Sequence, residues 1–168
     1  MDKIEVILCI YTYFCYICKI NLGFMEISTA KIEALRELIA TPRSIVILSH
    51  TNPDGDAVGS SLAWAEILRK QGHEVTCILP NRYPYYLEFM PNISSVVIFK
   101  QDDKGAAKEA LKRADIIFCL DFHLLSRLDQ LGDLIDENQH AKRVLIDHHL
   151  DASEDFDLML SYPKASST

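Results

Sequence analysis

The chain has 168 residues, 49% hydrophobic and 24% charged, the balance of a globular domain with one core. Its net charge of −7 argues against binding long duplex nucleic acid through a broad basic surface, although a metal can screen that charge locally for a phosphate ester. Five cysteines, three of them (Cys9, Cys15 and Cys18) near the start, make no disulfide framework, and a reducing cytoplasm is the simplest compartment.

Residues 1–24 differ from the rest. The apolar stretch from Val6 to Cys18 is short of the roughly 20 residues that span a bilayer, and no clear cleavage site follows it. No stable membrane insertion is expected. Cys15 and Cys18 have redox spacing without a βαβ context. Met25 opens an amphipathic pattern and is the expected natural start, which makes residues 1–24 an upstream extension. A membrane-associated segment is the alternative.

Ser28 or Thr29 caps a predicted helix that runs through Ala40, where Thr41-Pro42 ends it. Residues 44–49 (SIVILS) form a continuous apolar run, as in a strand buried on both faces. A helix over 57–71 follows, stopped by Gly72, and then a strand over 73–79. Pro80 to Pro91 is turn-rich, with a short helix expected around 85–90. Further strands are predicted at 95–99, 115–121 and 143–149. Helices lie between them at 103–113 and 124–138, the latter interrupted near Gly132. The tail, 150–168, is acidic and then small and polar, with no element assigned.

Strands alternating with helices predict an α/β fold: a parallel β-sheet flanked by helices on both faces, Rossmann-like. Ligands in such sheets bind at the carboxyl ends of the strands. His50, Asp54 and Asp56 follow the first strand, Asp121 ends the fourth, and Asp147, His148 and His149 end the fifth. Four of the six histidines, including His123, lie in or beside these strand ends. Singly, each aspartate reads as a cap or turn residue. Together, unpaired carboxylates on one edge would repel, and divalent cations remove that cost. Carboxylate and imidazole without thiolate suit Mn²⁺ foremost, or Mg²⁺ or Fe²⁺, better than structural zinc. Several carboxylates suggest two cations, which, about 3.5–4 Å apart, can serve an in-line phosphoryl displacement. Cys119 should share a face with Asp121, but its apolar neighbours make it a core cysteine.

Residues 50–60 (HTNPDGDAVGS), 119–128 (CLDFHLLSRL) and 146–151 (IDHHLD) resemble motifs I, II and III of the DHH phosphoesterase family. The likeness runs from about residue 27 onward. It leans towards the stand-alone bacterial oligoribonuclease/pAp phosphatases of nanoRNase type. The resemblance implies that His50, Asp54 and Asp121 hold one metal and that Asp56, Asp121 and His148 hold the second, with a water between the metals as nucleophile. It implies that His149 lies by the scissile phosphate as a catalytic residue and that Asp147 orients its neighbours. Asn52 and Ser60 would hold the loop, and Gly55 and Gly59 would let it turn. Arg127 could reach phosphate or be a surface cation. His123, where many relatives carry Asn, could contact substrate or cap a helix.

Against the family pattern, residues 25–168 stop short of an expected fourth motif with another metal-binding aspartate and of a DHHA1 domain with its Gly-rich His stretch. Asp151, Asp155 and Asp157 come too soon after motif III to replace that aspartate. The expectation is therefore a weakly active or inactive domain of a phosphoesterase. Its substrate would be a short oligoribonucleotide or 3′-phosphoadenosine 5′-phosphate, and a homodimer stays open. The alternatives are a cyclic-dinucleotide phosphodiesterase, an inorganic pyrophosphatase or exopolyphosphatase of the same superfamily, and an inactive module that binds a nucleotide or a partner.

Overall fold

The computed structural model describes residues 27–150 and 155–168. The readings made on residues 1–24 and on Asp151 lie outside the described residues. Six strands form one sheet: β1 (Ser44–Leu48), β2 (Glu74–Leu79), β3 (Val97–Ile98), β4 (Ile116–Leu120), β5 (Lys142–Asp147) and β6 (Leu158–Ser161). Their order is β3-β2-β1-β4-β5-β6 and every pairing is parallel. Among the described residues four α-helices accompany them: α1 (Thr29–Leu38), α2 (Gly55–Lys70), α3 (Ala106–Arg113) and α4 (Gln130–Glu137).

The alternation of side chains along each strand explains the two layers. In β1, Ile45 and Ile47 face a core shared with Ala65 and Leu68 of α2 and with Leu35 and Leu38 of α1. Val46 and Leu48 face the opposite core, with Leu111 of α3 and Ile135 of α4. Strand β4 repeats the pattern, sending Ile116, Phe118 and Leu120 one way and Ile117 and Cys119 the other. Two-sided burial is why these strands read as unbroken apolar runs. Fully buried Phe118 meets the Trp64 ring edge-on at 5.5 Å, a contact worth about 1 kcal/mol beyond its area.

Three readings need correction. The tail carries β6, whose backbone pairs with β5 from Val144↔Leu158 to Asp147↔Ser161. The predicted strand at 95–99 shrinks to Val97–Ile98, and Phe99–Gln101 is a 3₁₀ turn. The break in the 124–138 helix falls at Asp129, at φ 54°, between a 3₁₀ turn (Leu125–Leu128) and α4. Gly132 stays inside α4, where its N–H donates to the Asp129 carbonyl at 3.0 Å.

Among the described residues no helix is long and apolar enough to cross a membrane.

Candidate metal centre

The sheet reverses its direction of winding between β1 and β4, which makes a crevice at their carboxyl ends. Ser49, fully buried, closes the floor of this crevice by donating its hydroxyl to the Leu120 carbonyl at 2.8 Å. That bond sets the residue after Ser49 against the residue after Leu120. These are His50 and Asp121, both buried. Asp121 takes the left-handed conformation, φ 64°, which aspartate tolerates better than most residues. The strand alternation stops there. Cys119 therefore remains in the core, where burial pushes its thiol up to about 12 and removes it as a ligand.

The loop after β1 turns at Asn52, φ 55°, rather than at Gly55 or Gly59, which have no positive φ and lie within α2. Asn52 is tied down by Asn81: its N–H donates to Asn81 Oδ1 at 2.7 Å, and Asn81 Nδ2 donates to its Oδ1 at 3.2 Å. Asp54 caps α2, its Oδ1 accepting from the N–H groups of Asp56 and Ala57 at 2.9 and 3.1 Å. Asp56 follows in the first turn, and Ser60 donates its hydroxyl to the Asp56 carbonyl at 2.7 Å.

Ligand atoms of His50, Asp54 and Asp121 lie within 4.8 Å of one another, as do those of Asp121, His148 and His149. Asp121 belongs to both groups. Asp56 joins the second side, its Oδ2 lying 3.7 Å from His148 Nε2. His149 Nδ1 bonds Asp147 Oδ1 at 2.7 Å, and its backbone N–H donates to Asp147 Oδ2 at 3.1 Å. The Asp147 side chain is fully buried, while that of His149 is 41% exposed, so the ring is held from below and open above. The His123 ring packs 5.2 Å from that of His149. Arg127 reaches to 3.5 Å from His50 Nδ1. Asp157 goes elsewhere: it accepts from Lys142 Nζ and the Arg143 N–H at the start of β5.

Two imidazoles are fixed in the same tautomer by backbone. His50 Nδ1 lies 2.8 Å from the Thr51 carbonyl oxygen, and His148 Nδ1 lies 3.2 Å from that of Ala165. A carbonyl only accepts, so each Nδ1 carries a proton, and in a neutral ring it is Nε2 that presents the lone pair. Those lone pairs face carboxylate oxygens. His50 Nε2 is 3.6 Å from Asp121 Oδ2, and His148 Nε2 is 3.3 Å from Asp121 Oδ1. Acceptors facing acceptors need either added protons or a cation between them. The residues thus fit divalent cations, with each histidine's second nitrogen satisfied as metal-ligating histidines usually are. Without cations the protons respond. The Asp121 carboxylate raises the pKa of His50 against the opposing effect of burial. Burial raises that of Asp56, and the Asp121 and Asp54 charges add to it. Burial would raise Asp121 too, but His50, Thr168 and His148 outweigh it and hold the carboxyl low.

Thr168 escaped the sequence reading. Its N–H donates to Asp56 Oδ2 at 2.8 Å and its hydroxyl to Asp121 Oδ1 at 3.0 Å. The Tyr162 N–H, bonded to the Asp147 carbonyl at 2.9 Å, leads the segment after β6 back toward the centre. The tail's run of small polar residues was the signal, but it named no partner.

The chain belongs to the DHH family: residues 44–168 match the model of the DHH family, N-terminal domain. Among solved structures it is similar to an exopolyphosphatase-related protein from Bacteroides fragilis, with 33% identity and a TM-score of 0.81 over 86% of this chain. The chain spans 42% of that protein's length. An α-glucosyltransferase in complex with UDP and a 13-mer DNA shares the fold at 17% identity and a TM-score of 0.51, over 72% of this chain and 38% of that one. Exonuclease RecJ bound to manganese matches at 16% identity and a TM-score of 0.48, over 88% of this chain and 34% of its own.

Proposed function

We propose that this chain carries the metal centre of a hydrolase that cleaves phosphate esters of short oligoribonucleotides or of 3′-phosphoadenosine 5′-phosphate, using two divalent cations, with Mn²⁺ favoured. The observation that carries this reading is the pair of histidine Nε2 atoms turned on the two oxygens of Asp121. Bound cations would supply positive charge at the phosphate and a water acidified for attack. His50, Asp54 and Asp121 would hold one, and Asp121, Asp56 and His148 the other. His149, open to solvent above and with its Nδ1–H held on Asp147, would enter as the imidazolium, give its Nε2 proton to the leaving oxygen and be left neutral. Asp147 orients the ring by accepting from Nδ1, which leaves Nε2 as the nitrogen turned to the open side. His123 packs against the same ring and limits its rotation.

Titration of the purified chain with Mn²⁺ tests the reading. Two binding events and a rise in melting temperature are expected, with Mn²⁺-dependent cleavage of a diribonucleotide that His149→Ala abolishes while both binding events persist. The reading fails if Mn²⁺ produces neither heat nor thermal shift. A polyphosphatase is the second reading, supported by the likeness to the exopolyphosphatase-related protein. Release of phosphate from polyphosphate in preference to diribonucleotide would favour it.

A further inference from the structure

A third group of ligand atoms lies beside the two cation positions assigned above. A nitrogen of His123, a nitrogen of His149 and an oxygen of Asp147 lie within 4.8 Å of one another. Two strand ends bring them together. β4 stops at Leu120, Asp121 turns the backbone at φ 64°, and Phe122 buries itself in the core, so that His123 follows at the carboxyl edge of the sheet. β5 ends on Asp147, whose two oxygens bond the ring and the backbone N–H of His149. The His123 and His149 rings lie 5.2 Å apart.

Two features of this group call for a further ligand. His123 Nδ1 is buried and has no hydrogen-bond partner among the described residues. A polar atom left in that state costs free energy. The Asp147 side chain is fully buried, and its one ion partner among the described residues is His149. A buried carboxylate is costly unless a positive charge meets it. A cation held by the three residues would meet both needs. The donor balance selects its kind. Each of the two positions assigned above draws on two carboxylates and one imidazole. This group offers one carboxylate and two imidazoles, and imidazole suits zinc where carboxylate suits manganese or magnesium. We infer that His123, Asp147 and His149 form a third cation site, for a nitrogen-preferring divalent ion of the Zn²⁺ class. Three protein ligands leave a fourth position for water or another oxygen. The inference concerns binding and stands apart from the proposed cleavage. A cation on His149 replaces the second ring proton that the cleavage would use, so the two states of that ring exclude each other.

The test is equilibrium dialysis of the full chain against Zn²⁺, with Cys9, Cys15 and Cys18 alkylated first so that their thiols do not compete. Three Zn²⁺ per chain are expected at saturation. His123→Asn should lose one of the three, while His140→Asn, at an exposed histidine outside the group, should lose none. The ¹⁵N resonances of the His123 ring in the wild-type chain should move as Zn²⁺ is added, and they decide the matter if His123→Asn unfolds. Two Zn²⁺ per wild-type chain overturn the inference and leave the cation pair standing. So does a third equivalent that His123→Asn retains, or His123 resonances that stay in place at saturation. A chain that takes up no Zn²⁺ removes the pair and the third site together.

Discussion

The two sides of the centre are built in different ways. On one side, His50 and Asp121 sit directly after β1 and β4, with side chains 7% and 4% exposed. The Ser49 bond to the Leu120 carbonyl locks them across adjacent strands. On the other side, Asp56 and His148 are each 25% exposed. Their supports come from Ala165 and Thr168, beyond the edge strand β6. One side takes two of its three residues from strand ends, with exposed Asp54 held as the cap of α2. The other gains its supporting hydrogen bonds only when the segment after β6 folds back. The first should therefore be the tighter and earlier site for a cation, because its ligands lose little freedom on binding.

Asp121→Ala should break both sides at once, since each uses one of its oxygens. Both Mn²⁺ events are expected to weaken by about 100-fold or more in calorimetry. If either survives at wild-type strength, the shared-ligand arrangement is wrong. Thr168→Val separates the sides. It removes the hydroxyl bond to Asp121 but keeps the N–H bond to Asp56. A loss of about tenfold is expected, the lower end for a residue that supports a metal ligand, and it should fall mainly on the weaker event. An equal loss in both events would mean that the two sides are not built independently.

The smallest expected effect is the dependence of stability on pH. With no cation bound, Asp121 raises the pKa of His50 in the folded state. The folded chain then binds more protons than the unfolded one between the ordinary value of 6.5 and the raised value. The stabilisation is full below 6.5 and is lost as pH rises through the raised value. Urea unfolding of the metal-free chain should show that decline, and His50→Gln should flatten it. If His50 holds a cation as proposed, saturating Mn²⁺ should reverse the slope, because the cation would compete with the proton for the ring.

The buried strands were legible because two-sided burial writes itself as apolar runs, as in Ile45–Leu48 and Ile116–Leu120. β6 was not. It has a partner on one side only, and Asp155 and Asp157 just before it read as a solvated tail. The helix break was assigned to Gly132 on composition, yet a glycine fits inside a helix. The backbone turned instead at Asp129, where an aspartate looks like any polar helix residue. At the site, the strand-end rule brought His50, Asp121 and His148 together because it depends only on topology. The contacts of Thr168, 47 residues from Asp121 and 112 from Asp56, depend on where β6 delivers the chain. No local pattern carries that information.

The histidine tautomers are set by the main-chain carbonyls of Thr51 and Ala165. An amide oxygen is common to all twenty residue types, so exchanging the side chain at 51 or 165 leaves the proton on Nδ1. These two positions can drift without detuning the imidazoles, provided the backbone path is kept. A ranking of this centre by residue identity would pass over two of the atoms that hold it in register.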